Sequence, residues 1–188
     1  NLNIQRMIAI DLENIYEPLA ITIERQIAIL DFNAPQKDGN TKLVRAIISP
    51  HPDKLLPNVY NLAMGPLDET GELNDKIRLR HVDSNKLFST IILFVITFLT
   101  EFGEMTIGLD GSDDLRATLY HSMFLLNKKT LGNVFITIGV DWYVKLLRDG
   151  SIEQMRNGSF FFRPLTEPFD YKRTRYDLYR YYMLRLKD

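Results

Sequence analysis

Hydrophobic residues crowd most densely between Asp83 and Phe102. The centre of this stretch, Ile91-Ile-Leu-Phe-Val-Ile-Thr-Phe-Leu99, places apolar side chains on every side of a 3.6-residue turn. That pattern predicts a helix over 84–102 buried nearly all round, capped by Asp83 or Ser84 and ended by Gly103 in the left-handed conformation. A second, one-sided helix is predicted over 113–127, where Leu115, Leu119, Met123 and Leu126 recur on one face behind a cap at Ser112 or Asp113. Between the two, Met105-Thr-Ile-Gly-Leu109 has the length and composition of a buried strand.

Elsewhere the period is nearer two. Leu19 to Phe32 is dense in β-branched residues and reads as one strand, or two joined near Arg25. The polar stretch 33–40 is a turn, and 41–49 its antiparallel partner. Residues 59–64 form a short strand, and Lys76 to Arg80 alternates as a half-exposed strand should. Leu131 to Val140 and Phe160 to Phe162 are strands, with Trp142 to Leu147 open between strand and short helix, and 148–158 loop or irregular helix. Tyr176 to Leu186 fits a closing strand, while residues 1–17 are a strand or an irregular lead-in. These elements predict a single α+β domain: a curved, mainly antiparallel sheet of about six or seven strands, wrapped on the helix 84–102 with the helix 113–127 beside it.

Composition narrows the function. At 188 residues and 45% hydrophobic the chain can bury a substantial core, and a net charge of -1 supplies no global attraction to nucleic acid or acidic membranes. With no cysteine, disulfides, thiolate metal sites and cysteine nucleophiles are excluded, which fits a reducing cytoplasm. The chain shows no signal-peptide pattern, and nine apolar residues fall short of the roughly 20 that span a bilayer, so no membrane association is expected.

The segment Gly108-Leu-Asp-Gly-Ser-Asp-Asp-Leu-Arg-Ala-Thr-Leu-Tyr120 is the strongest candidate for chemistry. A glycine turn leading from strand to helix exposes amides and the positive end of the helix dipole, an arrangement suited to a phosphate or carboxylate over Gly111 and Ser112. Arg116 lies one turn on, and Tyr120 four residues later on the same face. The plainer reading is that Ser112 or Asp113 caps the helix, Arg116 pairs with Asp113 or Asp110, and Tyr120 packs. The carboxylates of Asp110, Asp113 and Asp114 oppose an anion, although Asp110 or Asp113 can hold a metal beside a phosphate. No P-loop lysine or dinucleotide fingerprint is present. His51, His81 and His121 have no metal-ligand spacing, so no metal site is assigned; His121, beside Tyr120, is a weak general-base candidate.

The run Val59-Tyr-Asn-Leu-Ala-Met-Gly65, then Gly71 with Asn74-Asp75, then Asp83 and Lys86 opening an apolar helix, then Gly111-Ser112, Arg116 and Leu119-Tyr120, resembles a family of short bacterial proteins of unknown function. The resemblance covers roughly residues 42–125 and implies weight on Asn61, Gly65, Asp75, Gly111, Ser112, Arg116 and Tyr120. Met64 stands where the family has an aromatic residue, and Asp113-Asp114 where it has small ones. It implies no activity and no cofactor.

Residues 171–188 carry Lys172, Arg173, Arg175, Arg180, Arg185 and Lys187 among five tyrosines, against Asp177 and Asp188. Basic and aromatic residues so interleaved can bind single-stranded nucleic acid, here through Lys172, Arg173, Arg175 and Arg180; a charged edge strand explains the same composition. The expected function is a non-enzymatic binding or interaction protein of the bacterial cytoplasm. It would act as a homo-oligomer or with a partner protein, as a toxin–antitoxin or defence component does. The alternative is a metal-dependent enzyme on nucleotides or RNA, with Gly111-Ser112 and Arg116 as phosphate site.

Overall fold

The computed structural model describes residues 8–74 and 77–188. It is an α+β fold with one open, eight-stranded sheet: β1 (Pro18–Ile23), β2 (Ala28–Pro35), β3 (Thr41–Pro50), β4 (Val59–Pro66), β5 (Thr106–Asp110), β6 (Phe135–Val144), β7 (Phe162–Pro168) and β8 (Tyr181–Leu186). The strand order is β1-β2-β3-β4-β5-β8-β6-β7. Strands β1 to β4 form an antiparallel meander. The helix α1 (Ser84–Glu101) then crosses over, so β5 pairs parallel to β4, and α2 (Asp114–Leu126) and α3 (Lys128–Val134) lead on to β6. A parallel neighbour requires such a crossover.

Both long helices cover one face of the sheet, because alternate strand positions point there. Leu30, Phe32, Val44, Ile48, Tyr60, Ile107, Leu109, Tyr182 and Leu184 join Ile91, Phe94, Phe98, Met123 and Phe124 in one core. The opposite face holds a smaller cluster of Leu56, Val59, Val140, Tyr181 and Met183.

Asp83 caps α1 by accepting from the Lys86 amide at 2.9 Å. The predicted all-round burial holds only over 87–92, since Asn85 is exposed, Leu93 and Ile96 are half-buried and Thr97 and Thr100 exposed. Ser89 and Thr90 are nevertheless buried, and the lead-in explains why. Its residues 1–7 lie outside the described residues, and 8–17 are irregular but laid across both helices as a strap: the Asp11 and Tyr16 amides donate to Ser89 Oγ and Thr90 Oγ1, and the Ile10 amide to Asn127 Oδ1. Extended peptide without strand partners needs such acceptors when buried. Among the described residues α1 alone is long and apolar enough to cross a membrane, and it sits in this core.

Several expectations change. The described residues form eight strands, and of the two readings of 19–32 the pair joined near Arg25 holds, as β1 and β2. Residues 77–80 form no strand; only His81 bridges to Gln36, and Lys76 lies outside the described residues. Gly103 follows α1 without a left-handed φ, the cap residue being Phe102. Residues 131–134 complete α3 rather than starting β6, and the strand expected at 160–162 instead begins at Phe162 and runs through Pro164 to end at Pro168. As an edge strand β7 tolerates proline. The closing strand is not an edge: β8 lies between β5 and β6, and the continuous run Tyr181-Tyr-Met-Leu184 is buried on both faces.

Candidate functional site

The crossover through α1 brings the ends of β4 and β5 side by side, with the N-terminus of α2 directly beyond Asp110. Crevices at the carboxyl ends of parallel strands are where α/β sheets bind ligands. A cavity of 270 Å³ opens here, its walls including Leu62, Met64, Phe88, Ile91, Ile92, Leu109, Leu119 and Met123, with Asn61, Asp110, Arg116 and Tyr120 as its polar members. Four residues singled out in the sequence thus line one cavity.

The turn itself is satisfied from within. Asp113 caps α2, accepting from the Arg116 amide at 2.8 Å, and Asp110 Oδ1 accepts from the Ser112 amide at 2.8 Å. The Gly111 amide donates to the Arg180 carbonyl at 3.1 Å. Gly111 is required by close approach: a Cβ there would lie 3.0 Å from the Tyr182 ring and 3.1 Å from Ala117 Cα. The Arg116 guanidinium donates from Nε to Asp113, lies 3.7 Å from Asp110 and reaches Ser112 Oγ at 3.4 Å. The Arg116 amide, and after it this side-chain bond, hold the Asp113 carboxyl below its ordinary pKa, and the bond to Asp113 holds the Arg116 guanidinium above its own. The amides and cation expected to cradle a phosphate therefore already face the turn's own carboxylates.

Tyr120 differs. Its side chain is 8% exposed, and among the described residues its hydroxyl has no hydrogen-bond partner. Burial pushes its pKa up to about 12, so it stays a neutral donor. His121, its neighbour, is not part of this cavity: its Nε2 bonds the Arg173 carbonyl at 3.1 Å and its ring packs on Phe169. Asp75 lies outside the described residues.

Asn61 and Asp110 also border a second cavity, of 620 Å³, on the other face of the sheet, with His51, Ser112, Trp142, Phe162, Arg180 and Tyr181. The Tyr181 hydroxyl donates to Asn61 Oδ1, and the His51 ring stands edge-on to Tyr181 with centroids 5.4 Å apart. Sequence reasoning did not assign Trp142, Phe162 or Tyr181 to this site, since the long-range order β5-β8-β6-β7 alone unites them.

Of the tail cations, Arg173 is 13% exposed and bonded to Asp141 and Glu167, its guanidinium 3.7 Å from the Tyr179 ring centroid. Arg180 pairs with Asp114 at 2.6 Å and Arg175 stacks on Tyr176. Lys172 is exposed. Arg173 thus ties its loop to β6 and β7, and Arg180 joins the start of β8 to α2. Among the described residues no three His, Asp or Glu side chains converge as metal ligands.

Fold and site define an α+β protein with an apolar cleft at a parallel strand pair. A family model covers residues 20–159, and the chain belongs to that family, described as a family of unknown function (DUF6934). No curated protein and no solved structure matches the chain.

Proposed function

We propose that the protein is a non-catalytic binding protein of the bacterial cytoplasm whose ligand occupies the cleft between α1, α2 and the ends of β4 and β5. The observation that carries this reading is Tyr120, a largely buried ring whose hydroxyl borders an apolar cavity and, among the described residues, bonds to no protein group. A ligand acceptor meeting that hydroxyl gains a hydrogen bond away from bulk water, worth about 0.5–1.5 kcal/mol. The walls call for an apolar body. At the mouth, one guanidinium faces the two carboxylates of Asp110 and Asp113, a balance that disfavours phosphate and favours a neutral molecule carrying one acceptor group. A role in a toxin–antitoxin or defence system would then rest on what occupies this cleft.

The test is native mass spectrometry of the protein from a bacterial host, with methyl NMR against a library of neutral fragments. A retained molecule, or fragment shifts at Leu62, Ile91, Ile92, Leu119 and Met123 that vanish in Met123→Trp, is the expected result. A ligand-free mass together with no fragment that moves these methyls would end the reading.

A further inference from the structure

Away from this cleft, the end of β2 is joined to the segment before α1. The Lys37 amide donates to the Arg80 carbonyl at 2.8 Å, the Val82 amide to the Pro35 carbonyl at 3.0 Å, and Gln36 bridges His81. This pairing fixes the extended segment carrying Arg78 and Arg80 against the hairpin carrying Lys37 and Lys42. The four cations line one cavity of 300 Å³ with Gln36, Leu79 and, among the described residues, a single acid, Asp38. Among the described residues none of the four has an ion-pair partner. Asp38 is occupied in its own turn, accepting from the Asn40 amide at 2.9 Å. Of the four like charges around this concavity only Lys42 is drawn to a described carboxylate, that of Asp38, and together the four repel one another and attract a multivalent anion.

Two further observations narrow the anion. Gln36 is 4% exposed, and its Oε1 is buried with no partner, so this wall offers an acceptor for an O–H donor. Sharing Lys42 and Leu79, an adjoining cavity of 290 Å³ is otherwise lined by Leu43, Pro66, Leu67 and Ile77. Ile77 is 49% exposed and Leu43 37% exposed, an apolar pair beside a cationic pocket. In the turn after β4 the Asp68 carboxylate is taken by the Thr70 and Glu72 amides. Neither cavity contains an aromatic ring, so neither offers the stacking platform of a nucleobase site.

We propose that these joined cavities bind a phosphorylated amphiphile: Lys37, Lys42, Arg78 and Arg80 take its phosphate, Gln36 a hydroxyl or protonated phosphate oxygen, and Leu43, Leu67, Ile77 and Leu79 its apolar chain. Guanidinium groups suit the phosphate because they donate two parallel hydrogen bonds. The site is independent of the Tyr120 cleft, and either can fail without the other.

The experiment is calorimetric titration of the full chain with monomeric dihexanoyl phosphatidic acid, with dihexanoyl phosphatidylcholine as the same chains under a neutral headgroup, and with inorganic pyrophosphate as anion alone. Saturable binding of the phosphatidic acid is expected, with phosphatidylcholine roughly tenfold or more weaker, as loss of one charge-assisted hydrogen bond implies. Arg78→Ser with Arg80→Ser should abolish the difference without moving the thermal midpoint, and Ile77→Ser should weaken phosphatidic acid but not pyrophosphate. Co-sedimentation with phosphatidate-containing vesicles would assign the amphiphile to a membrane, and binding of the monomer alone to a soluble source. Equal affinity for both headgroups, no saturable binding, or binding indifferent to the arginine substitutions would overturn the proposal.

Discussion

The ring of Tyr181 on β8 lies directly over Gly108 on β5, in the space a Cβ at position 108 would fill, and from there its hydroxyl reaches Asn61 on β4. Three adjacent strands are keyed by this one side chain. Gly108→Ala forces the ring out of a strand buried on both faces, and overpacking of this kind costs about 1–3 kcal/mol or more. We expect a loss of about 3 kcal/mol in urea unfolding. Tyr181→Ala in the Gly108→Ala background should restore part of it, giving a coupling energy well outside additivity. Additive losses would mean that ring and glycine do not share the space.

Asn127 follows α2 and holds the strap: its side-chain amide accepts from the Ile10 amide at 2.8 Å and donates to the Ile8 carbonyl at 2.7 Å. Asn127→Ala leaves two buried backbone groups unpaired, at about 1–3 kcal/mol each. Hydrogen exchange should then quicken across residues 8–16 while the sheet amides of β5 and β8 keep their protection. An unchanged exchange pattern would show that apolar burial of Ile8, Ile10 and Tyr16 alone holds the strap.

The helices were legible because their signal is local. The apolar run 91–99 and the cap Asp83 stand in one window of sequence, as do Asp113 and the face of α2. The hairpins of β1 to β4 were legible for the same reason. Sheet order beyond β5 was not, since β8 pairs with β5 across more than a third of the chain and with β6 past the whole of β7, and no local period records that. One sign was available: Tyr181-Tyr-Met-Leu184 is apolar at odd and even positions alike, the mark of a strand covered on both faces rather than an edge. Arg173 and Arg180 looked free in sequence because their partners Asp141, Glu167 and Asp114 come from other elements. At the candidate cleft, Asn61, Asp110, Arg116 and Tyr120 were named in advance, but its apolar walls were not separable from the core.

All three histidines titrate below 6.5, with burial the leading cause for each. For His121 the geometry agrees: with Nε2 donating to the Arg173 carbonyl, a second proton would sit on Nδ1, which is buried and unpartnered. The unfolded chain therefore binds more protons just below pH 6.5, so stability is complete above about pH 7 and is lost as pH falls through the unfolded-state value. Urea midpoints should fall between about pH 7.5 and 5.5, and His121→Phe should show a shallower fall than the wild type. A midpoint independent of pH in this interval would contradict the burial of these rings.

Tyr120 separates stability from binding. Its hydroxyl bonds to no described group, so Tyr120→Phe removes a polar atom from a buried ring without breaking any contact in the free protein. The ring contact with Tyr182, centroids 5.9 Å apart, survives the change. Thermal unfolding of the free variant should be unchanged, because the hydroxyl makes no described intramolecular hydrogen bond that the substitution could remove. A ligand whose acceptor meets this hydroxyl should bind roughly tenfold more weakly to the variant, the worth of one good hydrogen bond. The opposite pattern, a destabilised free protein with unchanged fragment affinities in methyl NMR, would make Tyr120 a packing residue and leave the cleft a defect of the core rather than a binding site.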